Sequence, residues 1–374
     1  MNKTLLIVTP IFPPAPGGAS TYYNLLARGL IGSNKIIQCV VILTERMPGL
    51  SRREILMGGR LVVLRLFPHR AGGKREPWMQ YVKYALQNVQ YFFLGKILKK
   101  YKVDFVLMHT GFYNFPNLMW LAVFLNKKKD HCKWVADMRD WLLPPHRLKQ
   151  LDPYDAIIAC SENIIGHLEH RIQLLRRCNL IPVIADPAIF PDAKKSKGIL
   201  EKYGLKGKKY LAFIGLIKKQ KGLDLLYESF LELTRSQPDL YLVLVGSLKE
   251  GVEYLHKLTK HPNIYYLGPL PHGATLTIVA NATLCVNLSP AEGMPRSSLE
   301  ALALGVQVAL PPNIPEFMKH CPEYVISESH PKAVAGHFSR LLESNKKPCY
   351  PLINHDLEGV LTRYLDIFEA LRKE

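Results

Sequence analysis

The chain has no stretch approaching the roughly 20 uninterrupted apolar residues that cross a bilayer; its longest candidate run, Leu118 to Leu125, is eight residues. The early run Leu5-Leu6-Ile7-Val8 meets Pro10, Pro13, Pro14 and Pro16 before it can become a signal-peptide core. It reads as a buried first strand, and the chain is expected to stay in the cytoplasm. Cys-x-x-Cys pairs are absent. The seven cysteines (39, 132, 160, 178, 285, 321 and 349) are scattered and odd in number. That pattern fits reduced, mostly buried thiols and argues against a disulfide framework or a zinc ribbon. Short internal repeats and low-complexity tracts are also missing.

What is present is a chain of 374 residues, enough for two domains. Apolar residues make up 48% and charged residues 21%, so a large core can form and global disorder is excluded. The net charge of +18 is unevenly placed: residues 1–185 carry 26 Lys/Arg against 11 Asp/Glu, and residues 186–374 carry 23 against 20. Such asymmetry points one half at something anionic.

Short runs rich in Val, Ile and Leu, without polar alternation, read as strands covered on both faces. In the first half these are Leu5–Thr9, Gln38–Leu43, Leu61–Leu66, Phe105–Met108, Trp134–Ala136 and Ala156–Ala159. In the second they are Tyr210–Ile214, Tyr241–Val245, Ile264–Tyr266, Leu284–Leu288 and Gln307–Leu310. Helical patterns fall at 20–31, 77–100, 114–126, 161–173, 222–236, 250–260, 272–280, 296–304, 331–343 and 356–373. Strand-helix alternation implies parallel sheets with helices on both sides. Two such α/β halves suggest two doubly wound Rossmann-like domains, 1–185 and 186–355, with 356–374 as a helix crossing back toward the first. The boundary region is Ile181–Ser196, where prolines and a lysine run interrupt the pattern. Ligands of such sheets bind beyond the carboxyl ends of the strands, which makes the gap between two facing domains the natural site.

The most informative stretch is Asn287-Leu-Ser-Pro-Ala-Glu292-Gly293-Met294-Pro295-Arg296-Ser297-Ser-Leu-Glu300-Ala-Leu-Ala-Leu-Gly305. A strand ends near Leu288 and a helix begins near Pro295, proline being favoured at a first helical position. A helix start offers unpaired backbone N–H groups and a positive dipole end, which suit phosphate oxygens. A carboxylate on each side can accept hydrogen bonds from sugar hydroxyls. On spacing alone, an ordinary amphipathic helix with two solvated glutamates fits equally well.

The Glu-x7-Glu pair, inside a Glu-Gly-x-Pro…Leu-Glu-Ala-x-Ala-x-Gly frame, resembles the signature of the large retaining glycosyltransferase family that includes glycogen synthase, sucrose synthase and the mycobacterial phosphatidylinositol mannosyltransferases. The resemblance implies the GT-B fold, two Rossmann-like domains facing a cleft, with the donor nucleotide on the C-terminal one and the acceptor on the N-terminal one. Further stretches are similar in the same order. Thr9 to Ser20, with Gly17 and Gly18, resembles the family's first-strand loop, whose paired glycines lie close to the donor phosphates. Phe213-Ile-Gly215-Leu216-Ile-Lys218-Lys219-Gln-Lys221-Gly222 resembles the Gly-Arg-x4-Lys-Gly stretch that neutralises the leaving diphosphate. The family arginine is Leu216 here, and Lys218 or Lys219 would have to supply its charge without the planar guanidinium fork. Ile264-Tyr-Tyr-Leu267-Gly268-Pro269-Leu-Pro resembles the loop that holds the nucleotide base. Tyr154 to Ser161 resembles a strand capped by Ser161 as a helix N-cap.

The resemblance therefore implies Glu292, His109 and Lys221 as catalytic residues. Gly17, Gly18, Gly215, Lys218, Lys219, Leu267, Pro269, Gly293, Met294, Pro295, Arg296, Ser297 and Glu300 are implied at the donor. Arg139 and Asp140, in a loop similar to a cleft-facing one of the family, are implied at the acceptor; a structural ion pair of Asp137, Arg139 and Asp140 is the equal alternative. The reaction implied is transfer of a sugar, with retention, from a nucleotide-diphosphate donor to a hydroxyl of a glycan or lipid-linked acceptor, in cell-surface polysaccharide or glycolipid synthesis. No Asp-x-Asp occurs, so a metal-bridged diphosphate is not expected, and no cofactor beyond the donor substrate is implied.

Residues 70–102 interleave His69, Arg70, Lys74, Arg75, Lys83, Lys96, Lys99, Lys100 and Lys102 with Trp78, Tyr81, Tyr84, Tyr91, Phe92 and Phe93. A basic, aromatic helix of this kind can lie on an anionic membrane. A core-facing amphipathic helix is the bland alternative, and nucleic acid is not expected. The competing function is a catalytically inactive GT-B scaffold that binds nucleotide, anionic membrane or nucleic acid.

Overall fold

The structure is a computed structural model that describes residues 3–15, 17–33, 35–67, 94–110, 132–139, 145–189, 197–344, 346 and 348–373. It divides into two compact units, residues 1–183 with 357–374, and residues 184–356. The helix expected at 114–126 and most of that at 77–100 lie outside the described residues, as do residues 70–93 of the basic aromatic segment. Among the described residues no helix is long and apolar enough to cross a membrane.

The first unit is built on an eight-stranded sheet of order β3-β4-β2-β1-β5-β6-β7-β8. Its strands are β1 (Lys3–Val8), β2 (Ile37–Glu45), β3 (Arg53–Leu56), β4 (Leu61–Phe67), β5 (Phe105–His109), β6 (Lys133–Met138), β7 (Ala156–Ala159) and β8 (Cys178–Leu180). Every pairing is parallel except β3 with β4. The apolar runs account for the central strands: Leu5, Leu6 and Ile7 are fully buried, as are Val40 and Val41 beside them. Side chains of this size stabilise by about 1.5–3 kcal/mol each when removed from water. The reading by apolar runs misses β3 and β8. The first is a four-residue antiparallel edge whose outer face is exposed at Arg53 and Ile55, and the second is a half-buried edge of three residues.

The helix expected at 161–173 is two short helices, Glu162–Gly166 and Ile172–Leu175, parted by a turn. Ser161 does cap the first, its hydroxyl accepting from the Ile164 amide at 3.4 Å. The final helix packs on the first: α1 spans Gly18–Gly32 and the C-terminal helix Leu357–Lys373. Gly29 makes the approach possible, since a Cβ there would sit 2.6 Å from a Leu361 methyl.

Beneath this helix pair lies a buried polar knot. Asp137, 0% exposed, accepts from Arg139 Nε at 2.7 Å, Tyr23 Oη at 2.9 Å and Tyr364 Oη at 3.0 Å. Arg139 also donates to the Ile181 and Pro182 carbonyls and to Tyr364, and its guanidinium lies 4.3 Å from the centre of the Tyr22 ring. Burial pushes the Tyr22, Tyr23 and Tyr364 hydroxyls well above their ordinary range, so they stay neutral donors. The expectation that Arg139 contacts the acceptor is therefore corrected: its donors are committed inside the unit, and of the structural alternative the Asp137–Arg139 pair is present. Asp140 lies outside the described residues.

An isolated buried charge is far costlier than a paired one. Arg139→Ala is expected to lower stability by about 3–5 kcal/mol because it strands Asp137, and Tyr364→Phe by about 1–3 kcal/mol. Urea unfolding followed by a probe in the first unit checks this; an unchanged midpoint for Arg139→Ala would contradict it.

Candidate functional site

The second unit holds a five-stranded parallel sheet of order β11-β10-β9-β12-β13. Its strands are β9 (Lys209–Ile214), β10 (Leu240–Val245), β11 (Ile264–Gly268), β12 (Leu284–Val286) and β13 (Val308–Ala309). The chain builds outward from β9 to β11, then crosses over to lay β12 on the other side of β9. The order thus reverses between β9 and β12, and the crevice beyond their carboxyl ends is where a doubly wound sheet takes its ligand. The loops leaving these two strands are 215–222 and 287–295, which contain the two most informative motifs.

One glycine brings those loops together, and a second seats the first loop against the end of β10. Gly222 has φ 70°, in the left-handed region, and a Cβ on it would lie 2.2 Å from the Leu288 carbonyl oxygen. It also starts α2 (Leu223–Thr234), accepting from the Leu226 amide. Gly246 has φ 145°, and its Cβ would fall 1.8 Å from the Gly215 oxygen. Side chains at either position would force the touching segments apart. The second loop is pinned from within: the Asn287 side chain accepts from the Ser289 amide at 2.9 Å, and Asn313 donates to the Ser289 carbonyl.

Across this seam the Lys221 ammonium donates to Glu292 Oε1 in a tight ion pair of two half-buried side chains. Helix α4 (Arg296–Ala303) follows. Pro295 is its N-cap rather than its first helical residue, a shift of one position from the sequence expectation. One turn in, Glu300 is buried, with a side chain 7% exposed. His272 Nε2 lies 2.8 Å from its Oε1 and Arg296 Nε lies 2.9 Å from the same oxygen. Burial by itself would raise the Glu300 pKa. Arg296 and His272 outweigh it and hold the carboxyl below its usual range, so the group is an anion at neutral pH. Nearby, burial, with the Glu300 charge adding to it, pushes the Cys285 thiol up to about 12, which leaves no thiolate nucleophile there.

The sequence-derived donor set thus falls largely on one end of one sheet. Gly215, Lys218, Lys219 and Lys221 line the first loop; Glu292, Gly293, Met294 and Pro295 line the second; Arg296, Ser297 and Glu300 open α4. Leu267 and Pro269 flank Gly268, which turns the chain at the end of β11 with φ 71°. Lys219 is partly engaged elsewhere, its amide donating to Glu250 and its ammonium 5.6 Å from the centre of the Tyr254 ring. Leu216, standing where the family has arginine, is 39% exposed.

Gly17, Gly18 and His109 belong to the first unit: His109 ends β5, and Gly17 and Gly18 open α1 after the loop that leaves β1, the strand beside β5 where that sheet reverses its order. Gly17 has φ 144°, and among the described residues a Cβ on Gly18 would meet nothing within 4 Å. His109 is 0% exposed, with its ring 5.3 Å from that of Tyr23, so packing rather than solvent surrounds it. His272 was not expected from sequence. It follows Leu-Pro with no motif around it, and only the fold reveals its partner 28 residues away. Among the described residues no group of three or more His, Cys, Asp or Glu is placed to hold a metal ion.

The crevice at the order-reversal point of this sheet thus gathers a lysine, a helix N-terminus and two carboxylates. Residues 196–350 match the family model described as Glycosyl transferases group 1, the family that the motifs resemble. Among curated protein sequences none matches. Solved structures share the fold. Sucrose-phosphate synthase from Thermosynechococcus elongatus aligns at 16% identity and TM-score 0.71, over 99% of this chain and 96% of that one. A glycosyltransferase from Rickettsia africae aligns at 14% and 0.73, over 100% and 99%. The UDP-forming trehalose-phosphate synthase of Burkholderia xenovorans aligns at 10% and 0.74, over 99% and 100%. The chain has the GT-B fold of two Rossmann-like domains.

A carboxyl whose pKa is depressed by folding adds stability above the unfolded-state value, about 4.3 for glutamate, and loses that contribution as pH falls below it. The stability gap between wild type and Glu300→Gln is therefore expected to be largest at neutral pH and to shrink on acidification through the carboxylate range. Urea midpoints measured from neutral to acid pH test it; a gap that does not change with pH would contradict the ion-pair geometry.

Proposed function

We propose that the protein is a retaining, metal-independent glycosyltransferase that moves a sugar from a nucleoside-diphosphate donor to a hydroxyl of a glycan or lipid-linked acceptor. The observation that carries this is the convergence of Lys221, Glu292, Glu300 and the start of α4 at the order-reversal point of the second sheet.

In the reaction, the bond between the anomeric carbon and the β-phosphate oxygen breaks while the acceptor oxygen bonds to the same face of that carbon. The acceptor proton passes to an oxygen of the departing diphosphate, so no protein nucleophile is needed. Negative charge grows on the diphosphate and positive charge on the sugar. Lys221 and the N-terminus of α4, with Lys218 adding charge, stabilise the first by preorganised electrostatics. Glu292 orients donor hydroxyls, and its negative charge offsets the positive charge that develops on the sugar. Its ion pair with Lys221 fixes both groups before the ligand arrives, which reduces the ordering cost of binding. Glu300, held as an anion, accepts from the ribose.

The structural relative from Anabaena holds UDP and glucose, and the Burkholderia enzyme is UDP-forming and holds glucose-6-phosphate. These names support testing UDP donors first. Peripheral contact with an anionic membrane rests on the charge and aromatic pattern of residues 70–102 and belongs to the same proposal, as do cytoplasmic placement and a role in polysaccharide or glycolipid synthesis. One observation favours a second reading: Leu216, exposed where the family arginine stands, removes a diphosphate contact. An inactive scaffold of this kind would bind the nucleotide and transfer nothing.

Glu292→Ala is expected to abolish sugar release and transfer from the preferred nucleotide sugar while the fold and nucleoside-diphosphate binding survive. Thermal shift with nucleoside diphosphates, alongside product analysis with the nucleotide sugar, measures both. Near-normal turnover in the variant would overturn the assignment of Glu292. Binding without any turnover by the wild type, over a broad range of acceptors, would favour the scaffold.

A further inference from the structure

The environment of Glu300 contains one group that neither motif nor family frame assigns. His272 is the first residue of α3 (His272–Ala280), the helix that crosses over from β11 to β12. Its Nε2 sits 2.8 Å from Glu300 Oε1, and Arg296 Nε approaches that same oxygen at 2.9 Å from one turn back along α4. The carboxylate is 7% exposed, the histidine 28% and the arginine 10%. Two cationic or N–H groups from different elements thus converge on one oxygen of a buried anion.

A glutamate's terminal torsion is soft and roughly two-fold, so an untethered carboxylate swings. With Oε1 held from two directions, a swing breaks both contacts in a site where water cannot replace them cheaply. The direction of Oε2 is then fixed as well. His272 is itself rigidly mounted: Gly268 turns the chain at the end of β11 with φ 71°, and Pro269 and Pro271 stiffen the approach to the helix. An acceptor-only oxygen held at a fixed angle is suited to the vicinal hydroxyls of a ribose, both of which donate.

We propose that His272 is a positioning residue: together with Arg296 it clamps Glu300 Oε1, so that Oε2 is presented to a ribose diol and the site discriminates ribonucleotides from their 2′-deoxy forms. The inference rests on the reading of this unit as a nucleoside-diphosphate-sugar site. The histidine does not touch the ligand in this scheme. It acts through the carboxylate, by preorganisation.

The test is calorimetric titration of UDP, GDP, ADP and CDP, and of the 2′-deoxy form of each, at one fixed pH. Wild type should prefer the ribonucleotide of its chosen base. His272→Ala should weaken ribonucleotide binding about tenfold, the worth of one charge-assisted hydrogen bond, and leave the 2′-deoxy affinity nearly unchanged. His272→Gln, whose amide N–H can still donate to Oε1, should keep most of the preference. In a Glu300→Gln background, His272→Ala should add nothing, because the two act as one unit.

Equal weakening of both sugar forms would show a plain structural tie and overturn the proposal, as would additive effects in the double variant. If Glu300→Gln abolishes the ribose preference and His272→Ala retains it, only the role of His272 fails. If the wild type binds none of the four diphosphates, this inference and the function it rests on fail together.

Discussion

The second unit depends on a steric constraint: two loops leaving neighbouring parallel strands must approach within contact distance, and only glycine permits it. Gly246, beyond β10, sits against Gly215 in the same way, and between the two site loops themselves Gly222 sits against the Leu288 carbonyl. That contact carries Lys221 across to Glu292 and aligns the start of α4 beside both. The geometry is costly in one respect, since it gathers a lysine, two carboxylates and an arginine into a small, partly buried volume. The ion pairs compensate, and they also set the charge state: Glu300 stays ionised despite burial because Arg296 and His272 hold it so.

The first unit solves a different problem with similar means. There Asp137 and Arg139 are buried, two tyrosines and two carbonyls complete their hydrogen bonding, and the Tyr22 ring lies against the guanidinium. Tyr364 belongs to the last helix and Tyr22 and Tyr23 to α1, so the knot ties the chain's final segment to its opening. A charge pair of this kind contributes less to net stability than apolar packing of equal volume. It does reward one packing of the two helices, because any other leaves a buried charge unpaired.

Much of the fold was legible because fully buried parallel strands write themselves as uninterrupted Val, Ile and Leu runs. β7 and the helices at 272–280 and 331–343 fall where the pattern placed them. The exceptions follow from the same physics. β3 is an antiparallel edge with an exposed face, so its alternating Arg-Glu-Ile-Leu carries no apolar run. The candidate site was legible in part, since Glu292, Glu300, Lys221 and Gly222 stand in motifs. What lay beyond reach were the long-range pairings: Lys221 with Glu292 over 71 residues, and His272 with Glu300 over 28. These follow from strand order, which local pattern does not encode. A polar residue at a strand end misled for the same reason. Arg139 occupies a position from which a side chain can face either ligand or core, and it faces the core.

The central claim is that a nucleoside diphosphate sugar binds where loops 215–222 and 287–295 meet the start of α4. Hydrogen–deuterium exchange across the whole chain, with and without nucleotide sugar, tests it most directly. Slowed exchange concentrated in 215–222 and 287–300 is the expected result. Saturating ligand that leaves those segments unprotected, or that protects only other segments of the chain, would contradict it.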